Sequence, residues 1–264
     1  MKRETIIEQL SGGVLTITLN RPESRNAFNR QLWGDFGASM SAALENDEVR
    51  VVVVTGAGKA FSAGQDLGDM AGMDTNSADS EPGFTPVMDM LEVFDKPLIA
   101  AVNGVGVGFG LTFLLHCDYA YISRSARLRA PFVTLGVVPE AASSYLLPVV
   151  VGYRHALDLL FESDFFDAER AVQMGLATAL CEPGQELARA QDHAARLAAK
   201  PLGSLRATKR LLMATRAEGI QRARAREDKA FGGRVGSPEN MEAVAAFLEK
   251  READFSAIPS HDKN

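Results

Sequence analysis

The sequence predicts an α/β protein whose second half is helical. Three observations carry this expectation. Apolar strand runs alternate with helical periodicity up to about residue 122, strand signals stop after about residue 140, and helical patterns follow one another to the C-terminus.

In chain order, Leu15, Ile17 and Leu19 alternate with Thr16, Thr18 and Asn20, the period of a half-buried strand. Trp33, Phe36, Met40 and Leu44 then recur at helical spacing. Residues 50–55 are valine-rich and uncharged after Arg50, which reads as a strand buried on both faces. Residues 98–102 and 118–122 are two further strands, and helical segments between strands favour parallel crossover connections. Residues 68–86 are rich in Gly, Ser, Asp and Asn and read as a mobile surface loop with a turn of helix near its start. Helical patterns cover 141–151, 153–162, 167–174, 185–199, 202–216, 220–231 and 238–250. No linker or repeat marks a boundary, so the expectation is one fold: a core over 1–200 and a helical extension over 201–264.

Composition narrows the class. The chain has 264 residues, 46% hydrophobic and 23% charged, which excludes disordered, collagen-like and coiled-coil chains. The 34 acidic residues outnumber the 28 basic ones, which disfavours nucleic acid and anionic membrane as partners. Cys117 and Cys181 are too few for a disulfide framework and read as buried free thiols in a reducing compartment. Lys2 and Arg3 are followed by Glu4 and Glu8 with no apolar segment, which argues against a signal peptide and for the cytoplasm. The uncharged stretch from Pro97 to Leu115 imitates a membrane span, but its glycines at 104, 106, 108 and 110 suit a strand, a turn and a buried helix instead.

Two glycine-containing turns each follow a buried strand. One is Gly56-Ala57-Gly58-Lys59-Ala60-Phe61-Ser62-Ala63-Gly64-Gln65-Asp66, the other Asn103-Gly104-Val105-Gly106-Val107-Gly108-Phe109-Gly110. Neither fits the dinucleotide pattern G-x-G-x-x-G or a phosphate-binding loop ending in Lys-Ser/Thr. Glycines there can simply permit tight turns. Together, two turns leading from neighbouring strands into helices could each present one unpaired backbone N–H to a developing oxyanion.

The segments Lys59 to Leu67 and Ala101 to Asp118 strongly resemble the crotonase (enoyl-CoA hydratase/isomerase) superfamily, and the resemblance runs from Asn20-Arg21-Pro22 to Arg251. It implies a ββα spiral core carrying a CoA and acyl site, with a helical C-terminal trimerisation region. It also implies an acyl-CoA substrate, and CoA that enters as the substrate thioester, with no tightly bound cofactor and no metal. By the same resemblance the N–H groups of Gln65 and Phe109 form the oxyanion hole, Phe109 standing where the family usually has glycine. Ala63 would lie against adenine, Ser24, Arg25 and Ala27 would border the CoA cleft, and Lys59 would meet a phosphate, although Arg25 and Lys59 also read as plain surface charges.

Membership does not fix the reaction; the acid–base groups do. Hydratases of the family hold water between two glutamates, and the matching positions here are Thr112 and Phe132. Threonine is no base near neutral pH and phenylalanine cannot hold water, so both line the pocket without activating water. One carboxylate stands eight residues past Phe132: Glu140, between Val137-Val138 and Ala141-Ala142. This resembles the peroxisomal-type Δ3,Δ2-enoyl-CoA isomerases, whose catalytic glutamate occupies that position. An apolar setting should raise its pKa toward a value useful for proton transfer; the plainer alternative is a helix N-terminal charge. The expected reaction is isomerisation of a 3-enoyl-CoA to a 2-trans-enoyl-CoA. The alternatives are a displaced hydratase, a thioesterase-like enzyme, or an RNA-binding relative using the basic stretch from Arg206 to Lys229, which reads more simply as a solvated or intersubunit surface.

The histidines have no metal-like spacing, His116 is expected to pack beside a buried helix, and Ser143 and Ser144 lack a nucleophile elbow. Asp66 reads as structural. In the last helix Ser237 caps and Pro238 opens, and Met241, Val244, Ala245 and Leu248 form the stripe expected to pack on the chain's own core. Phe247 falls off that stripe beside Lys250, a pair that resembles the family's contact to a neighbouring subunit's CoA and so implies a homotrimer or a dimer of trimers.

Overall fold

The structure, a computed structural model, describes residues 3–70 and 83–258. Strands β1 (Ile6–Ser11) and β2 (Val14–Leu19) form an antiparallel hairpin. A 3-10 turn (Pro22–Ser24) leads to α1 (Arg30–Glu45), where Asn29 caps the helix by accepting from the Leu32 N–H at 2.9 Å. Helix α1 buries Leu32, Trp33, Phe36 and Met40, so the aromatic periodicity does what the spacing predicts.

From there the chain winds as a spiral, each turn giving one strand to each of two sheets. The pairs are β3 (Val51–Gly56) with β4 (Ala60–Ser62), β5 (Leu98–Val102) with β6 (Val105–Val107), and β7 (Tyr119–Ser123) with β8 (Arg127–Arg129). Between the first two pairs lie α2 (Leu67–Met70) and α3 (Phe84–Val93); between the second and third, α4 (Phe109–Thr112) runs into a 3-10 turn (Phe113–His116). After β8 come a 3-10 turn (Val133–Leu135), α5 (Ser143–Val151), α6 (Tyr153–Phe161), β9 (Phe166–Asp167), α7 (Ala168–Gln173), β10 (Ala179–Cys181) and α8 (Glu186–Ala198). The chain closes with α9 (Leu202–Ala214), α10 (Ala217–Arg234) and α11 (Pro238–Glu249).

The larger sheet has the order β1-β2-β3-β5-β7-β10, parallel except for the hairpin, and the smaller has β4-β6-β8-β9. Both faces of the large sheet are covered, which explains the unbroken valine run. Val52 and Val54 face the main core with Phe36 and Leu98, while Val51 and Val53 pack with Ile99 and with Ala190 and Ala194 of α8. Residues 97–115, the apparent span, are β5, β6 and α4, and no helix among the described residues is long and apolar enough to cross a membrane.

Several expectations are corrected. Strands do not stop near residue 140: β9 and β10 follow, too short to show a period, and they exist through pairing with β8 and β7. Helix α5 starts at Ser143, because Ala141 and Ala142 take left-handed conformations with φ of 60° and 56°. Cys181 is buried, but Cys117 is only half-buried. In α11 the stripe against the core is Asn240, Ala243 and Ala246, whereas Met241 and Leu248 are exposed. The reason is close packing: Asn240 Nδ2 donates to the Leu135 carbonyl at 2.8 Å, and a Cβ at Gly136 would meet the Asn240 nitrogen at 2.7 Å. Only small side chains fit beneath a helix that near. The loop expected over 68–86 falls mostly on residues outside the described ones; a turn of helix stands at its start as expected, while its last residues, 84–86, belong to α3 instead.

The basic stretch is largely neutralised within the chain. Arg206 and Arg210 pair with Asp95, Lys209 with Asp118, Arg222 with Glu218, and Arg224 with Asp89 and Glu92. Apart from Arg222–Glu218, which lies within α10, these bonds tie α9 and α10 to the rest of the fold.

Candidate active site

Strands β4 and β6 are parallel neighbours, Ala60 opposite Val105 and Ser62 opposite Gly106. Both glycine turns therefore leave adjacent strand ends. Past β4, Phe28 donates to the Gly64 carbonyl and accepts from the Asp66 N–H, so Gln65 between them turns its own N–H away from Phe28. Past β6, Phe109 is the first residue of α4, where an N–H has no partner within the helix. Gly64 brings the two together: a Cβ there would lie 3.1 Å from the Phe109 nitrogen and 2.5 Å from the Val107 oxygen. Trp33 Nε1 donates to Gln65 Oε1 at 2.9 Å and so fixes the first turn, a support the sequence reading missed. The Phe109 ring is buried among Phe28, Trp33, Phe84 and Phe113, with centroids 4.7–5.9 Å apart.

One helical turn beyond Phe109, on the same face, fully buried Thr112 donates from Oγ1 to Glu140 Oε1 at 2.7 Å. Burial pushes the Glu140 carboxyl up to about 8; the Thr112 bond opposes this, and the negative charges of Glu227 and Asp228 add to it. Thr112 is spent as a donor. Phe132 is buried at the edge of a 3-10 turn, its carbonyl accepting from Val137 N–H.

The segment carrying Glu140 is held from several sides. Ser143 Oγ donates to the Glu140 carbonyl, and His116 Nε2 donates to the Ala141 carbonyl at 2.8 Å. Burial holds the His116 ring neutral, its pKa lowered to about 4. His116 is thus a buried support, and among the described residues Ser143 Oγ bonds the Glu140 carbonyl rather than a histidine. Glu227 of α10 accepts from the N–H groups of Ala142 and Ser144 at 2.7 and 2.8 Å.

The residues expected around CoA also converge. Ala63 N–H donates to the Arg25 carbonyl at 2.9 Å. Asn26 Nδ2 bonds the Ala57 and Ala60 carbonyls, which brings the Lys59 turn beside Ser24, Arg25 and buried Ala27. Lys59 and Arg25 are exposed. Asp66 pairs with Arg21, which also bonds the Ala27 carbonyl, consistent with a structural role. Phe247 lies on α11 and Lys250 is its left-handed C-cap, and both are exposed.

Two N–H groups on adjacent turns, with a buried carboxyl bonded one helical turn past the second, form an arrangement that can stabilise an enolate oxygen while one base moves a proton. The comparisons carry this to a family. The family model for enoyl-CoA hydratase/isomerase matches residues 9–257. The 1,2-epoxyphenylacetyl-CoA isomerase of Escherichia coli is 32% identical over 96% of this chain and 98% of its own. The crotonyl-CoA hydratase of Syntrophomonas wolfei is 30% identical over 97% and 99%. A crystal structure of an enoyl-CoA hydratase/isomerase from Pseudoalteromonas atlantica superposes with a TM-score of 0.90 at 37% identity, covering 96% of this chain and all of that one. The chain belongs to the crotonase (enoyl-CoA hydratase/isomerase) superfamily, and is an acyl-CoA enzyme of that type.

Proposed function

We propose that the protein is a Δ3,Δ2-enoyl-CoA isomerase using one carboxyl, Glu140, as base and acid. The observation that carries the reading is the Thr112–Glu140 pair. The position where hydratases of the family carry a water-holding glutamate has a threonine, and that threonine serves a different, buried carboxyl.

Glu140 takes a proton from C2 of a 3-enoyl-CoA. The electron pair moves through the C2–C1 bond onto the thioester oxygen, giving a dienolate held by the Gln65 and Phe109 N–H groups. The dienolate then takes the same proton at C4, and the double bond becomes C2=C3. Thr112 engages Oε1, so Oε2 is left for the substrate proton among the described partners. A carboxyl of pKa about 8 is about one-tenth ionised at pH 7, and its acid form returns the proton readily. Buried Phe132 keeps water from quenching the dienolate.

CoA is the substrate's own handle in this reading. Ser24, Arg25, Ala27, Lys59 and Ala63 take the nucleotide end, and Phe247 with Lys250 of a neighbouring copy closes over it in a trimer or dimer of trimers.

Incubation with 3-enoyl-CoA and with 2-enoyl-CoA, followed by product identification, tests the reaction. Isomerisation should dominate, and Glu140→Gln should lower it by ~10²–10⁴-fold with CoA binding intact. Robust hydration that survives Glu140→Gln would refute the reading in favour of a hydratase, the name several relatives bear.

A further inference from the structure

Glu140 is followed by two successive alanines in the left-handed region, Ala141 at φ 60° and Ala142 at φ 56°. L-residues with a Cβ resist that conformation, so the surroundings must enforce it. Helix α5, which opens next at Ser143, has Ala142 at its N-cap, a residue with no side-chain acceptor for the free N–H groups. The acceptor comes from elsewhere. Glu227, 5% exposed and on α10, places Oε2 at 2.7 Å from Ala142 N and Oε1 at 2.8 Å from Ser144 N. A carboxylate buried here thus spends both oxygens on the backbone just after the base.

We propose that Glu227 is a positioning residue for Glu140: by gripping the Ala142 and Ser144 N–H groups it enforces the left-handed pair that turns the Glu140 carboxyl against Thr112. The inference rests on the role assigned to Glu140 above. Glu227 also brings negative charge near Glu140, which favours the protonated carboxyl. Other groups act nearby: Asp228 of α10 adds negative charge at Glu140, and neutral His116, from the 3-10 turn after α4, feels the positive charges of Arg216, Arg224 and Lys209. Arg224 is engaged by Asp89 and Glu92 of α3. Glu227 differs from these in that it touches the segment through two hydrogen bonds.

The test is Glu227→Gln in the full chain. The amide keeps the shape and one acceptor but loses the charge and one bond. With a 3-enoyl-CoA, kcat should fall by ~10–100-fold while KM stays within about three-fold, because small displacements of a base act on the chemical step. The acid limb of the kcat/KM profile should also move to higher pH, because a carboxyl turned away from Thr112 loses the bond that favours its anion, a larger effect than loss of the Glu227 charge. Loss of fold alone would not move that limb. Unchanged kcat, or lowered kcat with an unmoved limb, overturns the proposal. If Glu227→Gln does not fold, the double variant with Ala142→Gly is used, since glycine accepts the left-handed conformation without strain; with the turn kept, kcat should stay within about three-fold of wild type, and a ~10–100-fold loss there overturns the proposal.

A second readout needs no turnover. The gain in melting temperature from Glu140→Gln at pH 9 over that at pH 5 is compared in the wild-type and Glu227→Gln backgrounds. A changed gain in the second background supports the coupling, and equal gains refute it. Absence of 3-enoyl-CoA turnover in wild type would instead strike the proposed reaction and leave this comparison to decide the role of Glu227.

Discussion

At the residue scale the proposed chemistry turns on one buried carboxyl and its hydroxyl partner. As a base Glu140 must be ionised, so kcat/KM should rise with pH along a limb near 8. Thr112→Val removes the bond that favours the anion, and the limb should move to higher pH; a pH–rate profile that does not respond would show that another group titrates. Stability carries the same information with the opposite slope. The folded-state pKa of Glu140 lies above its ordinary 4.5, so wild type loses stability as pH rises from about 4.5 through about 8. Glu140→Gln escapes that loss and should be more stable at pH 9 by on the order of a few kcal/mol, with the difference vanishing near pH 4, by thermal unfolding. Glu140 was legible in the sequence because a lone carboxylate in an apolar run is conspicuous. Glu227 was not, since a glutamate among Arg224, Arg226 and Lys229 looks like any solvated helix charge.

At the level of elements, the site depends on how closely backbones approach. Gly64 has φ +79°, and a Cβ would press on Val107 O and Phe109 N. Gly64→Ala should spread the two N–H donors and lower kcat by ~10²–10³-fold with the circular-dichroism spectrum retained; a rate within a few-fold of wild type would remove this turn from the oxyanion hole. Gly136, at φ +67°, lies under the α11 backbone. Gly136→Ala should destabilise the fold by about 1–3 kcal/mol in a denaturant melt. Long elements were legible because they repeat their pattern: β3, β5, β7 and α8 fall within a residue or two of expectation. The short strands of the second sheet were not, because two or three residues hold no period and owe their form to pairing. Helix α11 was legible in extent, with Ser237 capping Asn240 N–H as expected, but not in facing. A pattern of large apolar residues marks a face that gets covered, not which partner covers it.

Across the whole molecule, α11 turns its large apolar residues outward, with Met241, Phe247 and Leu248 each about 60% exposed. In the proposed assembly these residues meet a neighbouring copy. The protein should sediment as a trimer or larger, and Phe247→Ala with Lys250→Ala should raise KM for CoA thioesters several-fold with less effect on kcat. A fully active monomer would sink both expectations. What the sequence determined by itself is local or repeated along the chain: the α/β core, the glycine turns, the family, the absence of carboxylates at Thr112 and Phe132, and the lone carboxylate of Glu140 in an apolar run. What only the tertiary structure decided spans long separations. Two N–H groups 44 positions apart converge because β4 and β6 pair, and Glu227 reaches the backbone after Glu140 because α10 packs across α5. Periodicity reports which side of an element is buried. The identity of the partner on that side is set by packing and pairing between distant segments, which no local pattern encodes.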